Sequence, residues 1–255
     1  MITVKNLSIF HGKKCLLDNI NFHIKKGERV VLLGQSGSGK TLTSLALMHL
    51  LPHNLTATGE ILYNNIPFHK KMRGTQIGMI MQSPASCFDQ AFTMRHFFYD
   101  ALISHHKTEK LTDSYFCEII ENIGLKNPKD ILASYPFQLS GGMLQRIMIG
   151  LSLALETEFI LADEPTSDID CIAEYEILEL LKKLEKKQQA LLLITHNIKT
   201  ATQIADRILV MHQGKLIDNF ETKNLYDENR HTFTKELIMA HKNLTQNAWG
   251  INFHV

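Results

Sequence analysis

The chain has 255 residues, of which 44% are apolar and 21% are charged, as in an ordinary soluble globular protein. Its formal charge of +1 offers no basic surface of the kind that indicates a nucleic-acid partner. Its four cysteines are scattered without a CxxC pair, which excludes the spacing of a zinc knuckle or a redox dithiol and fits a reducing cytosol.

The sequence contains no apolar run of the roughly 20 residues that a transmembrane helix needs. Residues 1–6 also lack the apolar core of a signal peptide. We therefore expect any membrane role to depend on docking to another protein.

The first part of the chain predicts strands followed by a helix. Apolar and polar residues alternate over residues 2–9 and again over 20–24, which is the pattern of half-buried strands. Residues 29–33 are almost continuously apolar, which is typical of a strand covered on both faces. A helix is then predicted over residues 40–51, and Pro52 would end it.

The rest of the chain predicts an α/β fold with an insertion. Residues 159–162 and 190–194 read as buried strands, and residues 172–187 between them have helical spacing, so we predict a parallel sheet. The stretch 85–135 is polar and rich in aromatic residues without a buried strand, which favours a helical insertion. A hairpin-like segment at 214–217 precedes a predicted short helix and a weakly structured tail.

A glycine-rich loop follows the third predicted strand and fits the pattern G-x-x-x-x-G-K-T. Its residues are Gly34, Gln35, Ser36, Gly37, Ser38, Gly39, Lys40 and Thr41. The glycines allow backbone N–H groups to converge on phosphate oxygens, Lys40 can reach the β- and γ-phosphates, and the Thr41 hydroxyl can ligate Mg²⁺. The loop predicts nucleoside triphosphate binding, which kinases, GTPases and helicases share.

An acidic pair, Asp163-Glu164, follows the buried strand predicted over residues 159–162. A carboxylate emerging from such a strand can hold Mg²⁺ through water, which is the role expected for Asp163. Glu164 can polarise the attacking water as a general base. A surface acidic pair is the simpler interpretation, but its coincidence with the glycine loop favours the catalytic one.

The segment Leu139-Ser140-Gly141-Gly142-Met143-Leu144-Gln145-Arg146 resembles the LSGGQ signature of ATP-binding-cassette (ABC) ATPases. The other elements of that family follow in the same order. Gln82 resembles the Q-loop glutamine, residues 167–170 resemble the D-loop, and His196 resembles the switch histidine. The resemblance extends from residue 2 to about residue 240.

The resemblance implies an α/β fold of the ABC-type P-loop ATPase. Its parts are a parallel RecA-like core sheet, an antiparallel β subdomain and an α-helical subdomain inserted at about residues 85–154. The nucleotide-binding domain is expected over residues 1–240, followed by a C-terminal tail at 241–255. ATP and Mg²⁺ are the implied cofactors.

The resemblance also implies roles for individual residues. Gln82 joins Thr41 and Asp163 as a Mg²⁺ ligand and has a catalytic role together with Glu164, and His196 positions the γ-phosphate and the lytic water. The signature residues Ser140, Gly141 and Gly142 are expected to bind the nucleotide of a second ATPase subunit, because two subunits face head to tail in this family.

Three positions depart from the usual motifs of the family or match them imperfectly. The adenine-stacking aromatic is matched by His11, with Phe10 beside it as the alternative. The D-loop reads Ser-Asp-Ile-Asp, and Asn197 replaces the usual aspartate after the switch histidine. Neither of the last two changes removes a catalytic group, so we predict a competent half-site.

Within the family, the chain is similar to the oligopeptide and nickel importer branch. Met143 after the glycine pair, residues 79–84 and, less closely, residues 231–237 match that branch. The absence of a cysteine after Cys171 and the short chain favour importers of nickel or of nickel–metallophore complexes over dipeptide or oligopeptide importers. His105-His106 is interpreted as a solvated pair and not as a nickel site.

The resemblance implies a peripheral protein on the cytoplasmic face of the bacterial inner membrane. Its expected partners are a second ABC ATPase subunit in a heterodimer, two transmembrane permease subunits and a substrate-binding protein, with no nucleic acid. A non-transport ABC ATPase of DNA repair is disfavoured, because the insertion is too short for a long coiled coil.

Overall fold

A computed structural model of the protein describes residues 1–167, 169–183 and 188–249. The chain forms two compact units. The first unit contains residues 1–67 and the chain from residue 193 onward, and the second contains residues 68–192. No helix in the described ranges combines the length and the apolar character needed to span a membrane.

An antiparallel sheet forms the first part of the first unit. Its strands are β1 (Ile2–His11), β2 (Lys14–Ile24), β4 (Thr56–Tyr63) and β5 (Ile66–Pro67), in the order β2-β1-β4-β5. Both strands predicted here are confirmed, and β2 begins earlier than its pattern indicated. The alternating apolar residues of β1 account for this layer, because their side chains are buried on one face.

The phosphate loop of the same unit follows a strand that is paired in parallel. Strand β3 (Arg29–Gly34) runs parallel to β9 (Arg207–His212), and β9 forms a hairpin with β10 (Lys215–Glu221). Strand β8 (Ala190–Thr195), of which residues 193–195 belong to this unit, is also confirmed. The helices of this unit are α1 (Lys40–Leu47), α7 (Ile198–Ile204) and α8 (Thr232–Trp249). Helix α8 crosses the boundary at residue 240 that the sequence predicted for the start of the tail.

The predicted end of α1 is wrong, because the helix stops before Pro52. His49 has a left-handed backbone with φ 50°, and its N–H donates to the carbonyl of Ala46 at 2.9 Å. The N–H of Leu50 donates to the carbonyl of Leu45 at 2.7 Å. This pair of hydrogen bonds is a Schellman motif, which terminates a helix and satisfies its last carbonyls.

The second unit combines two parallel strands with helices. Strands β6 (Ile77–Ile80) and β7 (Phe159–Asp163) pair in parallel. Helices α2 (Met94–Ser104), α3 (Asp113–Asn122), α4 (Pro128–Ala133) and α5 (Gly141–Ala154) fall inside the stretch predicted as an insertion. They pack around buried aromatics such as Phe98 and Phe116, whose ring centroids lie 5.5 Å apart. Helix α6 (Cys171–Lys183) follows, and the predicted end of that helix, residues 184–187, lies outside the described residues.

Candidate functional site

The phosphate loop lies between β3 and α1, and packing constrains its glycines. A Cβ built on Gly34 would lie 2.5 Å from the Met211 carbonyl oxygen and 2.6 Å from Ser38 Oγ. Gly39 has a φ of 106°, which L side chains rarely adopt. A Cβ on Gly37 would meet no atom within 4 Å in the part of the chain that the structure describes, so the tip of the loop is open there.

Polar groups gather on the inner side of this loop. Lys40 is 5% exposed, and its Nζ donates to the carbonyl oxygens of Gly34 at 2.8 Å and Gln35 at 3.1 Å. The buried Ser38 Oγ has no hydrogen-bond partner among the residues that the structure describes. An orphaned hydroxyl, a buried cation and an open loop tip fit the phosphate chain of a nucleotide.

The N-terminus of α1 adds backbone N–H donors to those of the loop. Its N-cap is Gly39, and no side chain in the described part of the chain caps this end. Thr41 is exposed at the second position of the helix. The first N–H groups of a helix have no partners within the helix, so the N-terminus of α1 can bind an anion. The Thr41 hydroxyl lies at this same end of the helix.

Asp163 and Glu164 stand at the end of β7 in the second unit. Asp163 is the last residue of the strand and is 5% exposed. Glu164 has a left-handed backbone with φ 44°, which is uncommon for a residue with a side chain and occurs often at functional sites. Ser167 Oγ donates to Glu164 Oε2 at 2.8 Å and fixes the direction of the carboxylate. The D-loop residue Asp168 lies outside the described residues.

Gln82 is exposed and is the second residue after β6. The residue before it is held by helix α5, since the buried Gln145 donates from Nε2 to the Met81 carbonyl oxygen at 3.3 Å. The Met81 N–H donates to Met148 Sδ at 3.2 Å. Gln145 therefore links the signature helix to the segment that carries Gln82, a role that the sequence analysis did not assign.

The signature residues form the beginning of α5. Ser140 is its N-cap, and Ser140 Oγ accepts a 3.3 Å hydrogen bond from the Met143 N–H. A Cβ on Gly141 would meet no heavy atom of the described residues within 4 Å, so packing among those residues does not require a glycine there. A glycine that is not required by packing, and that lies at the start of a helix, allows an external group to approach the backbone closely.

The remaining predicted residues belong to the first unit. His196 is exposed directly after β8, and Asn197 caps α7 by accepting hydrogen bonds from the N–H groups of Lys199 and Thr200. His11 is exposed at the end of β1, and its Nε2 lies 3.4 Å from Asn54 Nδ2. Phe10 beside it is half-buried.

The predicted site residues divide between the two units. The first unit holds the phosphate loop, His11 and His196, and the second holds Gln82, the signature, Asp163 and Glu164. Within the described ranges, no group of three or more His, Cys, Asp or Glu side chains is arranged to hold a metal ion. The buried Asp163 carboxylate is of the ligand type that Mg²⁺ takes together with nucleotide phosphates.

Comparisons with known proteins identify the family of the chain. The family profile "ABC transporter" matches residues 17–167. The chain is 36% identical over 256 residues to the metal-staphylopine import system ATP-binding protein CntD of Staphylococcus aureus, covering 96% of this chain and 94% of that protein. It is 34% identical over 235 residues to the nickel import ATP-binding protein NikD of Brucella abortus, covering 91% and 90%.

Solved structures of ATP-binding cassettes are similar to this chain in fold. A dimeric post-hydrolysis structure of the ATP-binding cassette MJ0796 with ADP and phosphate is 27% identical, with a TM-score of 0.72 over 87% of this chain and 99% of that chain. CbiO1 of Clostridium perfringens, 23% identical, has a TM-score of 0.74 over 98% and 96%. The chain belongs to the ABC transporter family, and it is an ATPase subunit with the ABC-type α/β fold.

Proposed function

We propose that this chain is the ATP-binding and ATP-hydrolysing subunit of a bacterial ABC importer that takes up nickel or a nickel–metallophore complex. The observation that carries the proposal is its similarity, over nearly the whole length, to the ATP-binding proteins CntD and NikD. Their names specify metal-staphylopine import and nickel import. The metal is cargo for the transporter and not a resident of this chain.

The phosphate loop is proposed to bind the triphosphate. Backbone N–H groups of Gly37, Gly39 and the start of α1 hold phosphate oxygens, and Lys40 turns from the loop carbonyls to the β- and γ-phosphates. His11, or Phe10 as the alternative, stacks on the adenine ring.

Hydrolysis is assigned to Glu164, His196 and Gln82. Glu164 accepts a proton from the attacking water, and its hydrogen bond from Ser167 keeps the carboxylate oriented for that step. His196 positions the γ-phosphate and the lytic water, and Gln82 has a catalytic role together with Glu164. Mg²⁺, when bound by Thr41, Asp163 and Gln82, neutralises charge that develops on the phosphates.

The signature residues Ser140, Gly141 and Gly142 are proposed to act on the nucleotide of a second ABC ATPase subunit. The open side of Gly141 supports this proposal, because it leaves room for a phosphate from another chain. Two permease subunits and a substrate-binding protein complete the importer, and this chain docks on the permeases at the cytoplasmic face of the membrane.

Uptake by the assembled transporter tests the proposal. Proteoliposomes containing the complete complex are supplied with ATP and with Ni²⁺ alone, the nickel–staphylopine complex, or a peptide without metal. We expect ATP-dependent accumulation of nickel in one of the first two arms. Lys40→Ala should abolish it, because the phosphate grip is lost. Uptake of the peptide without any metal dependence would contradict the nickel assignment and support a peptide importer.

A further inference from the structure

Helix α6 lies directly against the signature end of α5 in the second unit. A Cβ built on Gly142 would lie 3.4 Å from the Cβ of Ala173, which is buried in the first turn of α6. An added methyl group would thus reach van der Waals contact with Ala173, so the second signature glycine lies close to the start of α6. The orientation of the signature therefore depends on where α6 is placed.

An ion pair joins the same two helices. Arg146 Nη2 lies 2.6 Å from Glu176 Oε2, with side-chain exposures of 15% and 45%. Arg146 Nη1 also donates to the Gly124 carbonyl oxygen at 3.4 Å. Arg146 follows Gly142 by four positions, so both residues lie on one face of α5. The guanidinium is thus held by Glu176 on one side and by a backbone carbonyl on another.

The first turn of α6 is fixed by Asp170. Its Oδ1 accepts hydrogen bonds from the N–H groups of Ile172 at 3.0 Å and Ala173 at 2.9 Å. The bond from Ala173 contributes most to holding the pKa of Asp170 below its usual range, and the charge of Arg146 adds to this effect. Asp170 belongs to the segment that resembles the D-loop. Through Ala173, which it holds and which lies beside Gly142, this segment is connected to the signature.

We propose that Glu176 is a positioning residue for the signature. By holding Arg146, it sets the direction of the first turn of α5 and hence the placement of Ser140, Gly141 and Gly142 against the nucleotide of the second ATPase subunit. The inference rests on the proposed function. The alternative is an ordinary ion pair that contributes only to folding stability, and partly exposed pairs contribute little to it.

The two readings differ in what they predict for the isolated chain and for the assembled transporter. The isolated full-length chain binds ATP through its own residues 34–41, which lie in the other unit. Glu176→Gln and Glu176→Ala should leave its ATP affinity and melting temperature unchanged. In the assembled transporter the same variants should lower kcat by roughly tenfold, since misplacing a catalytic group by about 1 Å is enough for such a loss.

Three further variants make the test specific. Glu176→Asp keeps the charge and should retain most of the turnover. Arg146→Gln should reproduce the loss, and adding Glu176→Gln to it should cause no further loss, because both changes break one interaction. Glu179→Gln is the matched control on the same helix, where Glu179 pairs with Lys182 at 2.8 Å, and it should leave kcat unchanged.

Wild-type turnover in the Glu176→Gln and Glu176→Ala transporters would overturn the inference. A loss of turnover that is accompanied by an equal loss of ATP affinity in the isolated chain would also overturn it, because the effect would then be general. Failure of the unaltered chain to bind ATP would instead overturn the proposed function, and this inference with it.

Discussion

The backbone N–H of Gly214, in the turn between β9 and β10, donates a 3.0 Å hydrogen bond to the carbonyl oxygen of Ser38 in the phosphate loop. The Gly214 carbonyl accepts a 2.9 Å bond from the Asp18 N–H. A Cβ on Gly214 would lie 2.3 Å from the Leu16 carbonyl oxygen, and the backbone φ is 77°. The hairpin turn is therefore hydrogen-bonded to β2 on one side and to the phosphate loop on the other, and it braces the loop by holding the Ser38 carbonyl.

Gly214→Ala should weaken ATP binding by the isolated chain about tenfold, or about 1.4 kcal/mol. The added methyl group forces the turn away from Leu16 and removes the brace on Ser38. Equilibrium binding of a fluorescent ATP analogue measures the change. The matched control is Gly124→Ala, which has the same φ of 77° but whose nearest neighbour, Arg146 Nη1, is 3.7 Å away. Equal ATP affinities in both variants and the wild type would contradict the brace.

Glu164→Gln should reduce kcat of the assembled transporter by about 100-fold or more while preserving ATP affinity, because the amide cannot accept the proton of the attacking water. Ser167→Ala should cause a smaller loss, since the carboxylate remains but loses its 2.8 Å hydrogen bond. Phosphate release, measured at saturating ATP, separates the two effects from binding. Turnover equal to that of the wild type in Glu164→Gln would remove Glu164 as the base.

The ion pair between Glu28 and Arg207 should make stability depend on pH. Burial by itself raises the pKa of Glu28, but the hydrogen bonds from Arg207 and from the Lys25 N–H together lower it below its usual value. A lowered folded-state pKa contributes stability above the unfolded-state pKa, and that contribution is lost as the pH falls through the folded-state value. We expect the pair to stabilise the protein at neutral pH and not in acid.

Glu28→Gln should therefore lower the free energy of unfolding by about 2 kcal/mol at pH 7, because the hydrogen bonds are to a charged group with only 15% of its side chain exposed. The difference from the wild type should shrink below about pH 4. Urea unfolding across this range measures it. Glu221→Gln, which breaks an exposed pair with Lys223, is the control and should change stability little. If the difference in unfolding free energy between Glu28→Gln and the wild type did not change with pH, the stabilising role of the ionised Glu28 would be contradicted.

Asn197 shows how a departure from the usual motif is accommodated. Its Oδ1 accepts hydrogen bonds from the N–H groups of Lys199 at 2.9 Å and Thr200 at 3.5 Å, so it caps α7. Asn197→Ala should lower the free energy of unfolding by about 1 kcal/mol, and Asn197→Asp should be close to neutral, because aspartate caps equally well. Thermal unfolding of the three proteins tests this. Equal losses in both variants would show that the cap is not what stabilises the helix.

Local patterns predicted the strands that carry the clearest signals. Strands β1, β3, β7 and β8 were identified because alternating or continuous apolar residues depend only on neighbours along the chain. Strands β6 and β9 were not predicted; in β6, Gly78 interrupts the apolar run, and glycine is depleted in strands. The end of α1 was misplaced because a left-handed histidine is a weaker stop signal than the proline that follows it.

The sequence alone determined the identity of the phosphate loop, the acidic pair, the signature and the family, because these motifs are contiguous and their chemistry is local. Only the tertiary structure revealed that Gly214 braces Ser38, that Gln145 holds the segment before Gln82, and that Glu176 holds Arg146. Each of these contacts joins residues that are far apart along the chain. Such pairs are set by the packing of whole strands and helices, so no single segment of sequence contains them.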